Sequence, residues 1–329
     1  LASYALAIAQ GADYVEPDLV TTADGELVVR HENEIGGTTD VAAHHEFADR
    51  RTTKVVDGTA LAGWFTEDFT LAELKTLRAV ERLPAVRPGN TVFDGVHEIA
   101  TLQEVVELAR GSRTPEGRRV GILAEIKHST YFAGLGLPLE ARLLDVLEAG
   151  GYAGAEDPVV IQCFETTNLR WLAQQTTIRL GQLVDGVGAP PDLRAAGDPR
   201  RYADLVTPAG LAEIRRYADV LGLSKDLIIP RDATGRLLSP TPVVGHAHQA
   251  GLEVYGWTFR RENQFLPRQF RSSDDPAEPG DLQGEIATFL AAGMDSCITD
   301  NPDLGALARR PGLLDPSPAR PLLPVGAAL

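Results

Sequence analysis

Three residues near the start of the chain combine reactive side chains with close spacing. Glu16 and Asp18 stand one residue apart in YVEPDL, and His31 follows a short intervening stretch. Side chains alternate between the two faces of a strand, so both acids would point the same way. Such a carboxylate pair can bind a cation, and a nearby histidine can transfer protons because its pKa lies near neutrality.

The same three residues also have a purely structural explanation. Acids on an exposed edge strand and a surface histidine need no function, and this segment alone leaves both interpretations open. Burial would decide between them, because a buried carboxylate is costly unless it is paired or bound to a metal.

A hairpin would hold these residues. Asp24-Gly25 is a strong turn signal, and LVVRHEN returns after it as a second strand with Val29, His31 and Asn33 on one face. A long polar segment follows at 36–98.

Apolar strands then alternate with helices about seven times, which predicts a parallel sheet with helical crossovers. An open doubly wound sheet and a closed (β/α)8 barrel of the TIM type both fit this pattern. No glycine-rich phosphate loop follows any of the strands, which disfavours a dinucleotide or nucleoside triphosphate site.

Five of the predicted strands end in polar or aromatic side chains. In a barrel the chemistry lies at the carboxyl ends of the strands, so this coincidence favours the barrel and a functional role for the two acids. The strand-end residues are Glu16 and Asp18, Glu125 and Lys127, Gln162 and Glu165, Trp257 and Arg260, and Thr299 and Asn301.

A third acid extends the candidate site. Alternation in ILAEIKHS puts Glu125 and Lys127 on one face, at the same depth as Glu16 and Asp18 on a neighbouring strand. Three carboxylates without clustered cysteines suit a hard cation such as Ca²⁺ or Mg²⁺, and Lys127 would let the pocket accept a phosphodiester. The structural alternative is a local ion pair between Glu125 and Lys127.

Further strand-end residues are candidates for substrate contact. Gln162 lies at the end of one strand, and Trp257 and Phe259 alternate with Tyr255 on another. Trp257 or Phe259 would wall the pocket, whereas core filling is the alternative and is our interpretation of Tyr255. His128, directly after Lys127, is expected to face outward.

Composition narrows the function classes. The 329 residues carry a net charge of −15, which argues against a nucleic-acid partner. The two cysteines, Cys163 and Cys297, allow no disulfide framework and are expected to be buried thiols. No apolar run reaches membrane-spanning length, and no signal peptide is visible.

The chain resembles glycerophosphodiester phosphodiesterases along nearly its whole length, most closely the larger secreted or periplasmic bacterial type. The motifs that carry the resemblance are GADYVEPDLVTTADGELVVRHEN, TTDVA, FTLAELKTLR, ILAEIKHSTYF, VVIQCFE and ITDNPD. It implies a barrel at 1–310 that contains the insertion at 36–98, and we interpret 311–329 as a loosely attached tail.

The resemblance also implies an activity and roles for residues. Such enzymes hydrolyse small glycerophosphodiesters to glycerol 3-phosphate and an alcohol with a divalent cation, for which calcium is favoured over magnesium. The family's metal acids fall on Glu16, Asp18 and Glu125, one catalytic histidine on His31, and the phosphate-contacting lysine on Lys127. An extracellular or periplasmic location follows from the resemblance, with a cytoplasmic one as the alternative.

One departure from the family concerns the first strand. The family begins with a strand that ends in His-Arg-Gly, and none of the seven histidines here precedes Arg-Gly. The first barrel strand, a second catalytic histidine and a phosphate-binding arginine are therefore expected to be missing from this chain. A fragment of a longer protein is favoured over a truncated gene, because the downstream motifs are intact, and low activity is expected of these residues alone.

Two rival functions stay open. A phospholipase D or sphingomyelinase of the same barrel type would use the same acids and histidine on a lipid. A binding protein without turnover would keep the metal and phosphate pocket alone.

Overall fold

The structure is a computed structural model that describes residues 1–309 and the backbone of residues 326–328. None of the described helices is both long enough and apolar enough to cross a bilayer. The helices are α1 Ala2–Ala9, α2 Leu71–Leu74, α3 Leu102–Gly111, α4 Ser129–Gly134, α5 Glu140–Ala149, α6 Thr166–Leu172, α7 Pro191–Ala195, α8 Tyr202–Leu205, α9 Pro208–Ile214, α10 Lys225–Ile228, α11 Val243–Ala250, α12 Leu282–Ala291 and α13 Pro302–Ala308. The strands are β1 Tyr14–Glu16, β2 Asp18–Thr21, β3 Leu27–Val29, β4 Thr52–Val56, β5 Thr59–Gly63, β6 Gly121–Ile126, β7 Val159–Cys163, β8 Arg179–Val184, β9 Val220–Ser224, β10 Glu253–Phe259, β11 Ser296–Thr299 and β12 Gly326–Ala328.

Parallel strands close into a barrel, as the alternating pattern predicts. Among the described residues the ring runs β1, β6, β7, β8, β9, β10, β11, β12 and back to β1, and each neighbouring pair is parallel. Strand β2 continues beyond β1, pairs in parallel with β6, and forms an antiparallel hairpin with β3. The closed barrel is confirmed over the open sheet.

Strand β12 lies between β1 and β11 and closes the ring. Most of the tail predicted at 311–329 lies outside the described residues, so its loose attachment stays a prediction.

The predicted hairpin at Asp24-Gly25 is present. Thr21 pairs with Leu27 at its end, and Gly25 has φ +81°, a left-handed conformation that glycine adopts without steric cost. The amide of Gly25 donates to the Thr22 carbonyl at 3.1 Å, which closes the turn. The hairpin returns the chain toward the mouth, where Arg30 N donates to the carbonyl of Asp18 at 2.9 Å.

Two apolar layers support the strands. The larger lies between the barrel and its helices, and helix α3 enters it with a capping box in which Thr101 and Glu104 bond reciprocally. The smaller fills the barrel interior, where Gly222 leaves room for the Tyr255 ring, since a Cβ there would lie 2.6 Å from that ring. The interior layer consists of Leu123, Val160, Leu183, Val220, Tyr255 and Ile298.

The segment 36–98, all of which is described, contributes no strand to the barrel. It holds the hairpin β4–β5, the short helix α2 and the 3-10 helices Val41–Ala43, His45–Arg50, Thr66–Asp68 and Pro88–Phe93. The segment lies between the β2–β3 hairpin and β6, and its assignment as an insertion stays a prediction.

Candidate active site

Three acids meet inside the mouth of the barrel. Glu16 is the last residue of β1, Asp18 the first of β2, and Glu125 pairs in register with Asp18 on β6. Each offers a carboxylate oxygen, and these oxygens all lie within 4.8 Å of one another. All three side chains are buried, which argues against the edge-strand interpretation. The structure therefore brings together the three acids that alternation selects.

Lys127 places a positive charge in the same cluster. Its Nζ lies 3.0 Å from Asp18 Oδ1 and 2.6 Å from Glu125 Oε1, and its side chain is 9% exposed. Burial opposes the charged ammonium, but the carboxylates of Asp18 and Glu125 outweigh burial and raise the pKa of Lys127. Lys127 therefore stays charged, and the local ion pair expected as an alternative is present as part of the acid cluster.

One lysine does not balance three acids. Burial raises the pKa of Glu16, and the neighbouring charges of Asp18 and Glu125 raise it further. Burial also raises the pKa of Glu125 to about 7, although Lys127 opposes that shift. The fully ionised cluster has a net charge of −2. Because the pKa of Glu125 is raised from 4.5 to about 7, the cost to stability grows as the pH rises above 4.5 and is fully present above about 7.

The donor set fits a hard divalent cation. Glu125 Oε1 contacts only Lys127 among the described residues, and that one ammonium does not balance three buried carboxylates. Carboxylate oxygens are the ligands that Ca²⁺ and Mg²⁺ prefer, and two positive charges would neutralise the excess. Glu16, Asp18 and Glu125 are the residues that would hold such an ion.

Gln162 lies beneath the acids and is fully buried. Its Nε2 donates to Glu16 Oε1 at 2.9 Å, and its Oε1 accepts a hydrogen bond from the hydroxyl of Tyr255. The amide thus fixes the carboxylate of Glu16, and Tyr255 fixes the amide from across the barrel. Contact of Gln162 with a substrate stays a prediction, whereas Tyr255 does more than fill the core.

His31 lies at the rim beside this cluster. Strand β3 ends at Val29, and His31 is exposed, while Asn33 is buried against Glu67, so the predicted common face of Val29, His31 and Asn33 is wrong. The Nδ1 of His31 lies 2.8 Å from Glu32 Oε1. Positive charge on His31 is among the causes that lower the pKa of Glu125, which places the ring within electrostatic reach of the acids.

The aromatic wall differs from the prediction. Trp257 is half-buried, donates from Nε1 to the Gly222 carbonyl at 3.2 Å, and meets Phe164 edge to face at 5.5 Å between ring centroids. Phe259 is fully buried against Phe289 in the outer layer, so the structure does not bring it to the pocket. The register of β10 shifts between Gly256 and Phe259, which breaks the alternation on which the prediction for Phe259 rested.

Three residues near the mouth were missed by sequence reasoning. Phe164 faces Lys127, whose Nζ lies 6.0 Å from the ring centroid. His128 was expected to face outward, but its side chain is only 14% exposed and its ring nitrogens contact Asp57 and Glu32. Asp57 comes from the turn between β4 and β5, and proximity in sequence gives no signal for that contact.

The chain is similar to known proteins in both sequence and fold. The chain is 35% identical to a glycerophosphodiester phosphodiesterase of Arabidopsis thaliana over 83% of this chain and 73% of that protein. It is 28% identical to a glycerophosphodiester phosphodiesterase of Haemophilus influenzae over 93% of this chain and 84% of that protein. A solved structure of an Oleispira antarctica phosphodiesterase in complex with the product sn-glycerol-3-phosphate shares the fold, with a TM-score of 0.56 and 18% identity over 93% of this chain and 89% of that chain.

The match to a family extends over the described barrel strands other than β12 and over the acids described above. Residues 1–304 match the glycerophosphoryl diester phosphodiesterase family, which includes β1, β2 and β6 and every residue of the charged cluster. The chain belongs to the glycerophosphoryl diester phosphodiesterase family.

Proposed function

We propose that this protein hydrolyses glycerophosphodiesters to sn-glycerol 3-phosphate and an alcohol, with a divalent cation at Glu16, Asp18 and Glu125. The observation that carries the proposal is the buried, charge-unbalanced cluster of three acids and one lysine at the barrel mouth. Family membership and the names of the two relatives support the same reaction.

The chemistry of each side chain indicates its role in the reaction. Hydrolysis breaks one phosphorus–oxygen bond, and water supplies a hydroxyl to phosphorus and a proton to the departing alcohol. We assign proton transfer to His31 Nε2, because Nδ1 faces Glu32, and contact with a phosphate oxygen to Lys127. A bound cation would stabilise the developing negative charge of the phosphate.

Calcium is the cation that we favour over magnesium. The ligand oxygens come from three separate strands and spread over distances up to 4.8 Å, and Ca²⁺ accepts longer and less regular oxygen contacts than Mg²⁺ does. Trp257 and Phe164 would border the group attached to the phosphate, because the Phe164 ring lies 6.0 Å from Lys127 Nζ and the Trp257 ring packs against Phe164.

The direct test uses the purified chain with glycerophosphocholine. We expect release of sn-glycerol 3-phosphate, loss of release with EDTA, and greater recovery with Ca²⁺ than with Mg²⁺. Calorimetric titration with Ca²⁺ checks the site independently of turnover. Cation and substrate binding without hydrolysis would replace the enzyme by a binding protein, and no cation binding at all would contradict the metal assignment.

A lipid phosphodiester is a second candidate substrate because an apolar loop lies at the rim. Val92, Phe93 and Val96 are exposed by 72%, 55% and 57%, and Arg87 ties the start of this loop to the ends of β10 and β11. Exposed apolar side chains in one loop are typical of interaction sites. Phe93→Ser should lower turnover of lysophosphatidylcholine micelles and leave turnover of glycerophosphocholine unchanged; equal effects on both substrates would exclude the lipid.

A further inference from the structure

A chain of four side chains runs from the insertion to His31. Asp57 Oδ2 lies 2.6 Å from His128 Nδ1, His128 Nε2 lies 3.2 Å from Glu32 Oε2, and Glu32 Oε1 lies 2.8 Å from His31 Nδ1. Each imidazole contacts a carboxylate, and each of the two carboxylate oxygens of Glu32 contacts an imidazole. None of these four residues belongs to the acid cluster.

The chemistry of the partners fixes the protons along this chain. An ionised carboxylate only accepts hydrogen bonds, so a ring nitrogen that faces one must carry the proton. His128 faces carboxylates on both sides, and although burial opposes its charge, Asp57 and Glu32 raise the pKa of His128 to about 9. Burial likewise opposes the charge of Glu32, but His128 and His31 outweigh it and lower the pKa of Glu32.

Two of these four residues have a backbone conformation that residues other than glycine rarely adopt. Asp57 has φ +48° and His128 has φ +52°, in the left-handed region that costs most residues energy. Asp57-Gly58 forms the two-residue turn between β4 and β5, and Arg194 donates to the carbonyl of Asp57. The tip of the hairpin is therefore held by its carboxylate on one side and by its carbonyl on the other.

We propose that Glu32 is a positioning residue for His31, and that His128 and Asp57 hold Glu32 in place from the β4–β5 hairpin. This inference rests on the proposed function, because it assigns proton transfer to His31. The Nδ1–H of His31 donates to Glu32, which leaves Nε2 as the nitrogen that exchanges protons with substrate. Glu32 on its own is half-exposed and would sample several rotamers, and the contact with His128 selects one of them.

The charges around His128 decide how this arrangement responds to pH. Glu32 comes from the segment after β3, Asp57 from the hairpin, Arg194 from α7, and Lys127 precedes His128 in the chain. Loss of the His128 proton removes one of its two donors, since a neutral imidazole keeps a single N–H. The hold on Glu32 then weakens, and the orientation of His31 becomes less defined.

The test compares Glu32→Gln with Glu46→Gln, a matched control that also removes a carboxylate beside a histidine of the insertion. We expect Glu32→Gln to lower kcat on glycerophosphocholine by about tenfold with KM nearly unchanged, as for residues that orient a catalytic group. Asp57→Asn and His128→Asn tolerate the left-handed backbone and should lower kcat by a smaller factor that does not multiply with that of Glu32→Gln.

A spectroscopic readout separates failure of this inference from failure of the proposed function. In ¹⁵N-labelled protein at pH 8, His128 should be doubly protonated and should become neutral in Asp57→Asn. His31 should carry its proton on Nδ1 and should lose that preference in Glu32→Gln but keep it in Glu46→Gln. If the parent chain lacks turnover, these spectra still decide the positioning role. An unchanged His31 tautomer in Glu32→Gln, or an unchanged kcat in an active enzyme, would overturn it.

Discussion

Two clusters of charged side chains lie at the mouth of the barrel, and they differ in charge balance. Glu16, Asp18 and Glu125 share one lysine, which leaves a net charge of −2. Beyond the ends of β10 and β11, Arg87 contacts Glu262 at 2.6 Å and Asp300 at 2.7 Å, and Arg260 contacts the same oxygen of Asp300 at 2.7 Å. Two arginines there meet two acids, so the second cluster is neutral.

The difference in charge balance distinguishes a cluster that binds a ligand from a cluster that stabilises the fold. A balanced network repays part of its desolvation through its own contacts, and here it ties the insertion to the ends of β10 and β11. An unbalanced buried cluster lowers stability unless a ligand supplies the missing charge. We therefore assign cation binding to the cluster with excess acid. The neutral cluster of Arg87, Arg260, Glu262 and Asp300, called the clamp below, holds the insertion against the barrel.

The largest effect should follow from neutralising one acid of the unbalanced cluster. Glu16→Gln removes a cation ligand, and we expect hydrolysis to fall by roughly 10³-fold, which corresponds to several kcal/mol of transition-state stabilisation. In the absence of divalent cations the same variant should be more stable than the parent at pH 8 by about 1 kcal/mol, because it removes like charge.

Measurement of unfolding at two pH values checks the cause. Burial raises the pKa of Glu125 to about 7, so the charge penalty of the parent is small at pH 5 and present at pH 8. The advantage of Glu16→Gln should therefore shrink on acidification, and added Ca²⁺ should stabilise the parent more than the variant. A variant that is less stable than the parent at pH 8 without cations would contradict the unbalanced-charge argument.

The next effect concerns the histidine beside the acids. His31→Ala should lower kcat by roughly 10²-fold, the lower end of a general acid–base contribution, because the ring is exposed to water. Its side chain is 54% exposed and contacts only Glu32 among the described hydrogen-bond partners, so the melting temperature should stay nearly constant. Full activity of His31→Ala would assign proton transfer to another group.

The acid cluster was predictable because its determinants are local. Alternation along a strand orients Glu16 with Asp18 and Glu125 with Lys127, and the in-register pair of Asp18 with Glu125 then follows from the parallel sheet. The same rule failed for Phe259, because an irregularity in β10 shifts the register and turns that ring toward α12.

The clamp and the histidine chain depend on contacts between distant residues. Arg87 and Asp300 are 213 positions apart, and Asp57 and His128 are 71 positions apart. A local pattern cannot pair such residues, because their meeting depends on how the insertion folds over the mouth. Asp57-Gly58 is an Asp-Gly turn signal like Asp24-Gly25, but a turn signal does not show which distant residue the turn will contact.

Folding stability should depend on pH through His128, which lies between the carboxylates of Asp57 and Glu32. The usual imidazole pKa is near 6.5, and Asp57 and Glu32 raise that of His128 to about 9 against the effect of burial. The stabilisation is therefore fully present below pH 6.5 and is lost as the pH rises through about 9. We expect the parent to lose about 1–3 kcal/mol relative to His128→Asn over that range, measured by urea unfolding. A constant difference between the two proteins would show that His128 is not charged in the folded state.

The smallest of these effects should come from the clamp, and it has the opposite sign to that of Glu16→Gln. Arg87→Met leaves Glu262 without its guanidinium partner, and we expect a loss of about 1–2 kcal/mol in urea unfolding, since the site is only partly buried. The exposed pair of Arg142 and Glu26 provides the control, and Arg142→Met should change stability by less than about 0.5 kcal/mol.

A second change, Glu262→Gln, should restore part of the stability of Arg87→Met, because the cost arises from the unpaired carboxylate and not from the lost contact alone. Removal of one charge should thus stabilise the acid cluster and destabilise the clamp. If Arg87→Met instead left stability unchanged and abolished hydrolysis, the clamp would belong to the catalytic machinery, and charge balance would no longer distinguish the two clusters.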